Sequence, residues 1–520
     1  MVIRPSVRTL AVIGVIAGLA GPACPPASAD VRLPHVIGNS MVLQRNVPIR
    51  LWGWAEPGEE VTARLLDKQA AGKADAQGLW KLELPAMPAG GPYELEIAGR
   101  NRLKLTDVLL GEVWVCSGQS NMAWPVSRAA NAAEEIARAD FPRIRFFSVP
   151  QKLAGEPADD VGGSWVACTP KSVEGFSAVA YFFGREVHRK LDVPVGLINT
   201  SWGGTPIEPW TPAAGFAAVP KLTPIRQEID EAHEAYRAAI ERHLDAVQSW
   251  LASARQALGA RRRLPPMPAW PEHPLVARRG PTTMYNAMVA PLVPLAIRGV
   301  LWYQGESNTI PADGMMYFEK MKALIGGWRA EWNCGDFPFY YVQLAPFRYE
   351  KHWPAPASGG KRLPEIWEAQ RAALSIPNTG MVVTTDIGNI DDIHPANKQE
   401  VGRRLALWAL AGPYGQKGIV CSGPLYHRFT IEGGRIRIHF THTGSGLASR
   451  DGKPLTWFEI AGDDRRFVEA RAEIDGDTVL VAAEQVGHPV AVRFAWSEEA
   501  NPNLINKEGL PASPFRTDRW

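Results

Sequence analysis

Cysteine is scarce in this chain, with five in 520 residues. Cys24 stands in an N-terminal stretch that reads as a leader, and Cys116, Cys168, Cys334 and Cys421 are far apart. Such spacing excludes a zinc ribbon and a CxxC redox motif. Four thiols permit disulfides in three pairings, and Cys116, inside an apolar run, reads as a small buried hydrophobe. Charge of one sign is also lacking. The chain has 56 Lys and Arg against 54 Asp and Glu, and without Arg4 and Arg8 of the leader 54 of each remain. A balanced chain without a long basic run gives no electrostatic reason to bind nucleic acid or an acidic membrane, and the arginines of "RRRLPP" read as a solvated patch. The apolar stretch Leu10–Ala20 is shorter than the roughly 20 residues that span a bilayer as a helix. The GxSxG elbow is absent, which removes the main signal for an α/β-hydrolase fold. No long disordered tract is expected either, because 46% of residues are hydrophobic and 21% charged.

Tryptophan, by contrast, is abundant, with 19 residues. Indole faces stack on the apolar faces of sugars, so a carbohydrate or small-molecule substrate suits this composition. Residues 1–29, "MVIRPSVRTLAVIGVIAGLAGPACPPASA", place two arginines before an apolar segment and end in small residues. This layout is that of a secretory signal peptide cleaved after Ala29, leaving a periplasmic or secreted protein with no membrane association.

The mature chain is too long for one hydrophobic core. From residue 30 to 107, short runs such as "VPIRLWGWA", "EVTARLLD" and "YELEIAG" between Gly, Pro, Asn and Asp predict a small β-sandwich-like domain. From 108 to 417 the pattern changes to strands alternating with helices: "VLLGEVWVCSG", "SAVAYFFGREVHRKL", "PVGLINTSWGG", "IRGVLWYQGESN", "YFEKMKALIGGWRAEW", "FPFYYVQLA", "EIWEAQRAAL", "GMVVTTDIG" and "PANKQEVGRRLALWAL". Such alternation predicts a parallel sheet covered on both faces. A helical insertion at about 211–284 interrupts it, with Ile225, Ile229, Tyr236, Ile240, Val247 and Leu251 marking the apolar stripe of one long helix. From 418 to 520 alternating strands such as "RFTIEGGRIRIHF" predict a second small β domain, whose aromatic end folds back on the middle one.

Ligands of open parallel sheets bind beyond the carboxyl ends of the strands, and the polar motifs fall there. Ester hydrolysis through serine needs an exposed hydroxyl, a histidine to take its proton, a group that orients the histidine, and donors for the oxyanion. Ser120 follows the apolar run "VWVC" through Gly118, which permits a tight turn; a plain Ser-Asn turn is the alternative, and Ser307 of "GESNT" the rival nucleophile. His394 of "DIGNIDDIHPANK" follows a strand and precedes Pro395, a residue suited to a helix's first turn. Asp391, three residues earlier, is placed to reach its Nδ1. Backbone N–H groups at Gly203 or Gly204 and the carboxamide of Gln304 are the oxyanion candidates. Trp124, Trp202, Glu208, Trp210, Glu306 and Asn308 lie in or beside these motifs as candidate sugar contacts, with core packing the alternative for each tryptophan.

Taken together, "GQSNM", "SWGGTPIEPW", "WYQGESN" and "DIHPANK" resemble the SGNH hydrolases, and among them the sialate O-acetylesterase type of carbohydrate esterase. The likeness extends to "IGNSMVLQR", "MYNAMVAPL" and "NLINKEGLPASPFRTD", covering nearly the whole mature chain. What the resemblance implies is a flavodoxin-like three-layer α/β/α hydrolase domain flanked by small β domains. It implies a Ser-His-Asp mechanism without metal or cofactor, and an acetylated carbohydrate as substrate, 9-O-acetylated sialic acid first. By the same resemblance Ser120 is the nucleophile and His394 the base, with Gly204, Gln304 and the Ser120 N–H as oxyanion donors. Asp391 fits the general SGNH spacing, Asp392 the "DIHP" form, and a backbone carbonyl is the third way to orient the ring. Acetylxylan esterase is the neighbouring enzyme reading, and a non-catalytic sugar-binding protein the reading from another class.

Overall fold

The computed structural model describes residues 30–277, 279–354 and 358–520; the expected signal peptide, residues 1–29, lies outside them. Its centre is a mixed sheet built around one 17-residue strand, Arg102–Gly118. Every residue from Val108 to Gly118 is buried, which fits a strand covered on both faces. Val195–Ser201 and Gly299–Tyr303 pair with it in parallel on either side. Beyond them lie Phe141–Ser148 on one flank and Phe339–Val342 then Thr379–Val382 on the other, all parallel, with Trp165–Cys168 as an antiparallel edge. The α/β class is as expected, and the parallel strands all end on the same side.

Helices cover this sheet in packed pairs. Ala178–Leu191, capped by the Ser177 hydroxyl, packs on Lys398–Ala411, and Met316–Trp332 packs on Arg362–Ala372. The first contact is close because Gly402 has no side chain: a Cβ there would meet the Phe183 nitrogen at 2.7 Å. The long helix of the insertion spans Thr223–Gly259. Ile229, Ala232, His243 and Ala254 are its buried residues, whereas Leu251 of the expected stripe is exposed. Its N-terminal half rests on Phe216, Val219, Leu222 and Ala323, and the Pro-rich loop returns along its second half, where the Trp250 indole N–H donates to the Pro265 carbonyl at 2.9 Å and Trp270 meets the His243 ring at 4.8 Å. Among the described residues no helix is long and apolar enough to cross a membrane.

The expected division at residues 107 and 108 falls inside the central strand. Its first half pairs with Gly90–Ala98, and Val42–Gln44 pairs in parallel at Leu109–Gly111. One continuous apolar core runs from Val31 through the α/β sheet to Leu425. Asp107 marks the join by a left-handed kink, φ 59°, held by the Ser40 hydroxyl at 2.9 Å and by Arg145. Glu112, wholly buried in the same strand, takes Arg45 at 2.5 Å and Arg298 at 2.7 Å. The strands after residue 424 are different: two antiparallel four-stranded sheets enclose a core of their own, with Ile436, Phe458, Val481, Val492 and Phe515. The end of the chain returns to the α/β unit, where Gln343 Nε2 donates to Ser513 Oγ at 3.0 Å and Arg516 pairs with Glu368 at 2.8 Å. All four described cysteines are free thiols, and Cys116 is buried as its apolar surroundings suggested.

Candidate active site

The turn that carries Ser120 is fixed by the sheet beneath it. Gly118 ends the central strand with φ 135°, and a Cβ there would sit 2.2 Å from the Tyr303 carbonyl oxygen, so only glycine fits. The Gln119 N–H donates to that same carbonyl at 3.0 Å, and a short helix, Ser120–Ala123, follows. The Gln119 side chain then binds the neighbouring loop, its Oε1 accepting the Ser307 N–H at 3.1 Å and Gln304 Nε2 at 3.2 Å.

His394 reaches the serine from a loop 274 residues away in the chain, its Nε2 lying 2.8 Å from Ser120 Oγ. Ser120 is half-buried, and the His394 side chain keeps 25% of its surface. The indole of Trp124 stacks on the imidazole, ring centres 4.7 Å apart. Pro395 does not open the following helix; that helix begins at Lys398, capped by the Asn397 side chain.

The carboxylate that faces His394 Nδ1 is Asp392, with Oδ1 at 3.7 Å, and the same oxygen accepts the His394 backbone N–H at 2.9 Å. At 3.7 Å the ring contact is electrostatic rather than a hydrogen bond. Asp391 is turned away from the ring. It pairs with Arg348 at 2.7 Å and lies 3.8 Å from Lys351, because neighbouring residues of a tight turn project in different directions. The expected Asp391–His394 contact is therefore replaced by Asp392. Burial is the largest influence on the imidazole and pushes its pKa below the ordinary value; Lys398 and Arg128 act in the same sense and Asp392 opposes them. A neutral ring at neutral pH is the form that accepts a proton.

Gly203 lies against the nucleophile: a Cβ there would be 3.3 Å from Ser120 Cβ. Gly204 takes the left-handed turn, φ 68°, with open space around it. Among the described residues no acceptor takes the N–H of Ser120, Gly203 or Gly204. Gln304 is not available as the further donor. It is 0% exposed, its amide nitrogen is ringed by Gln119 Oε1, the Thr205 carbonyl and Asn308 Oδ1, and its Oε1 accepts from Tyr317.

Of the candidate sugar contacts, Trp124 and Trp202 are half-buried, Trp124 against the His394 ring, and the Arg279 guanidinium lies 4.9 Å from the Trp202 ring centre. The others turn inward. Trp210 is 0% exposed, edge-on to Trp302, with its indole N–H donated to Thr205. Asn308 is buried and accepts from the Ile207 N–H at 2.9 Å while donating to Asp313 at 2.8 Å. Glu208 pairs with Lys320 at 2.5 Å, and buried Glu306 accepts from Asn121 at 2.5 Å. These residues brace the glycine loop and the serine turn from below. Sequence reasoning passed over Gln119, Asn121 and Lys398, which stand inside the motifs "GQSNM" and "DIHPANK" and were hidden by more conspicuous neighbours.

An alcohol met by an imidazole at the carboxyl edge of a parallel sheet is the working end of an α/β esterase. Comparison with known proteins narrows the class. Residues 110–255 and 270–411 match the family model described as carbohydrate esterase, sialic acid-specific acetylesterase. The sialate O-acetylesterase of Rattus norvegicus is 32% identical over 541 residues, covering 94% of each chain. That of Homo sapiens is 29% identical, covering 94% of this chain and 93% of its own. A crystal structure described as a novel carbohydrate acetylesterase from Xanthomonas citri superposes with a TM-score of 0.79 at 38% identity, covering 94% of this chain and all of that one. The chain belongs to the sialic acid-specific acetylesterase family of carbohydrate esterases, and it is an esterase.

Proposed function

We propose that this protein is an exported carbohydrate O-acetylesterase of the SGNH type that removes acetyl groups from sugars, 9-O-acetylated sialic acid first among them. The observation that carries the reading is the 2.8 Å approach of His394 Nε2 to Ser120 Oγ. Ser120 Oγ attacks the acetyl carbonyl carbon as Nε2 takes its proton. The N–H groups of Ser120 and of Gly203 or Gly204 receive the oxyanion, each such donor contributing about 3 kcal/mol to lowering the barrier. Collapse of the tetrahedral species breaks the bond to the sugar oxygen, which leaves with the proton from Nε2. Water then attacks the acetyl-serine, giving its proton to His394, and acetate departs as Ser120 recovers its hydrogen. Asp392 stabilises the imidazolium that forms in each half-reaction. Trp202 is the stacking surface for the sugar ring, while the Trp124 ring already stacks on the His394 imidazole.

Support for the substrate class comes from the family and from the carbohydrate acetylesterase of similar fold. The test is acetate release from p-nitrophenyl acetate by the wild type and by Ser120→Ala, followed by a panel of O-acetylated sialic acids and acetylated xylooligosaccharides. Release by the wild type alone, with preference for the sialic acids, is the expected result. Undiminished release by Ser120→Ala overturns the mechanism, and preference for the xylooligosaccharides overturns the substrate.

A further inference from the structure

Directly beneath the serine and histidine lies a charged pair that this chemistry leaves unused. Lys398, the first residue of the helix Lys398–Ala411, is 0% exposed, and Glu306 is 3% exposed. Asn121 stands between them. Its Nδ2 donates to Glu306 Oε1 at 2.5 Å and to the Ile393 carbonyl at 2.9 Å, and its Oδ1 accepts from Lys398 Nζ. Among the described residues Glu306 Oε2 is buried without a hydrogen-bond partner. The ammonium group lies over two aromatic faces, 5.3 Å from the ring centre of Tyr303 and 5.9 Å from that of Trp124.

Placement in the chain gives this cluster its meaning. Asn121 is bonded to Ser120, Ile393 is bonded to His394, and Trp124, which shelters the ammonium, is the ring stacked on the imidazole. Stability alone does not account for it. Burying a lysine and a carboxylate strips each ion of its hydration, and apolar residues of like volume are commonly as stable or more so. One orphaned carboxylate oxygen adds to that loss.

We infer that Asn121, Lys398 and Glu306 form a buried positioning unit in which Asn121 ties the serine turn to the histidine loop and Lys398 sets a positive charge behind the imidazole. The inference rests on Ser120 and His394 being the reacting pair. The charged groups bearing on His394 are Lys398 and Arg128, which disfavour its protonation, and Asp392, which favours it. Lys398 in turn faces Glu306 and Asp392, and burial pushes its pKa down to about 7. Its charge is therefore fully present at acid pH, where protonation of His394 would otherwise switch the base off. Glu306, whose own pKa burial raises, supplies the opposing charge that keeps the ammonium in place.

The experiment is the pH profile of kcat/KM for p-nitrophenyl acetate in the full-length wild type, Lys398→Met and Glu306→Gln, each with its melting temperature. The acid limb reports the free enzyme's base. Lys398→Met is expected to lower kcat about tenfold or more with little change in KM, and to move the acid limb up by at least about half a unit, since a repelling charge has gone. Glu306→Gln, which keeps an oxygen for Asn121, is expected to shift the limb less and in the same direction, because the ammonium loses its counter-charge and is neutral over more of the range. A merely structural lysine would change melting temperature without moving the limb. An unmoved acid limb in a folded Lys398→Met overturns the inference; should that variant not fold, an unmoved limb in Glu306→Gln does so. Retained activity in Ser120→Ala would instead point to failure of the mechanism on which the inference rests.

Discussion

The serine and the histidine are held in different ways. The turn at Ser120 grows from a strand whose last eleven residues are buried, and it is pinned by Gly118 against the Tyr303 backbone. The histidine stands on a loop, residues 386–397, in which Asn389, Asp391 and Asp392 are exposed and regular structure begins again only at Lys398. That loop is located by side-chain tethers: Asn121 to the Ile393 carbonyl, Trp124 on the ring, Asp392 beside it, and Arg348 joining Asp391 to Glu499, in a turn of the C-terminal β region, at 3.1 Å. The scaffold thus sets one partner to the backbone, while the other depends on a few removable contacts. Damage to the first should be all-or-none, and damage to the second graded.

The largest expected effect follows from removing the partner that has no substitute. Ser120→Ala should lower kcat for p-nitrophenyl acetate by about a thousandfold or more while the melting curve stays in place, read by initial rates and circular dichroism. Asp392→Asn should reduce kcat by roughly tenfold to a hundredfold with KM little changed, because the imidazolium loses its nearest carboxylate but keeps its other tethers. Acidification should act on the same group. His394 works in its neutral form and its pKa lies below the ordinary 6.5, so kcat/KM should hold level below that pH and then fall about tenfold per unit once the lowered pKa is passed. Asp391→Asn should be the mildest, within about threefold of the wild type, since Asp391 is exposed and its pair with Arg348 lies at the surface, where such pairs contribute at most about 1 kcal/mol. If Asp391→Asn proved as harmful as Asp392→Asn, the graded picture of the histidine loop would need its tethers reassigned.

How much could be read from the chain alone follows the same contrast. Ser120 and His394 were legible because a polar residue just after an apolar strand has few places to go in an open parallel sheet. The choice between Asp391 and Asp392 was not, because spacing along a chain does not say which way two adjacent side chains of a turn project. Trp210, Gln304, Asn308 and Glu306 lay in the right segments and turned inward, since the glycine loop and serine turn need buried partners for their backbone groups. The long helix was legible from its apolar period, although Leu251 is exposed where the first half of the stripe is covered. The change of pattern near residue 107 was legible, but not that a single strand, Arg102–Gly118, runs through it and serves two sheet regions with a kink at Asp107.

The most direct measurement of the central claim is covalent labelling with a fluorophosphonate, located by peptide mass spectrometry in the wild type and in His394→Ala. Formation of the phosphonyl ester with loss of fluoride requires a serine whose proton is taken by a base. The account predicts a single labelled peptide carrying the adduct on Ser120 in the wild type, and its loss in His394→Ala. An adduct on Ser307, or labelling of Ser120 at the same rate without the imidazole, would contradict it.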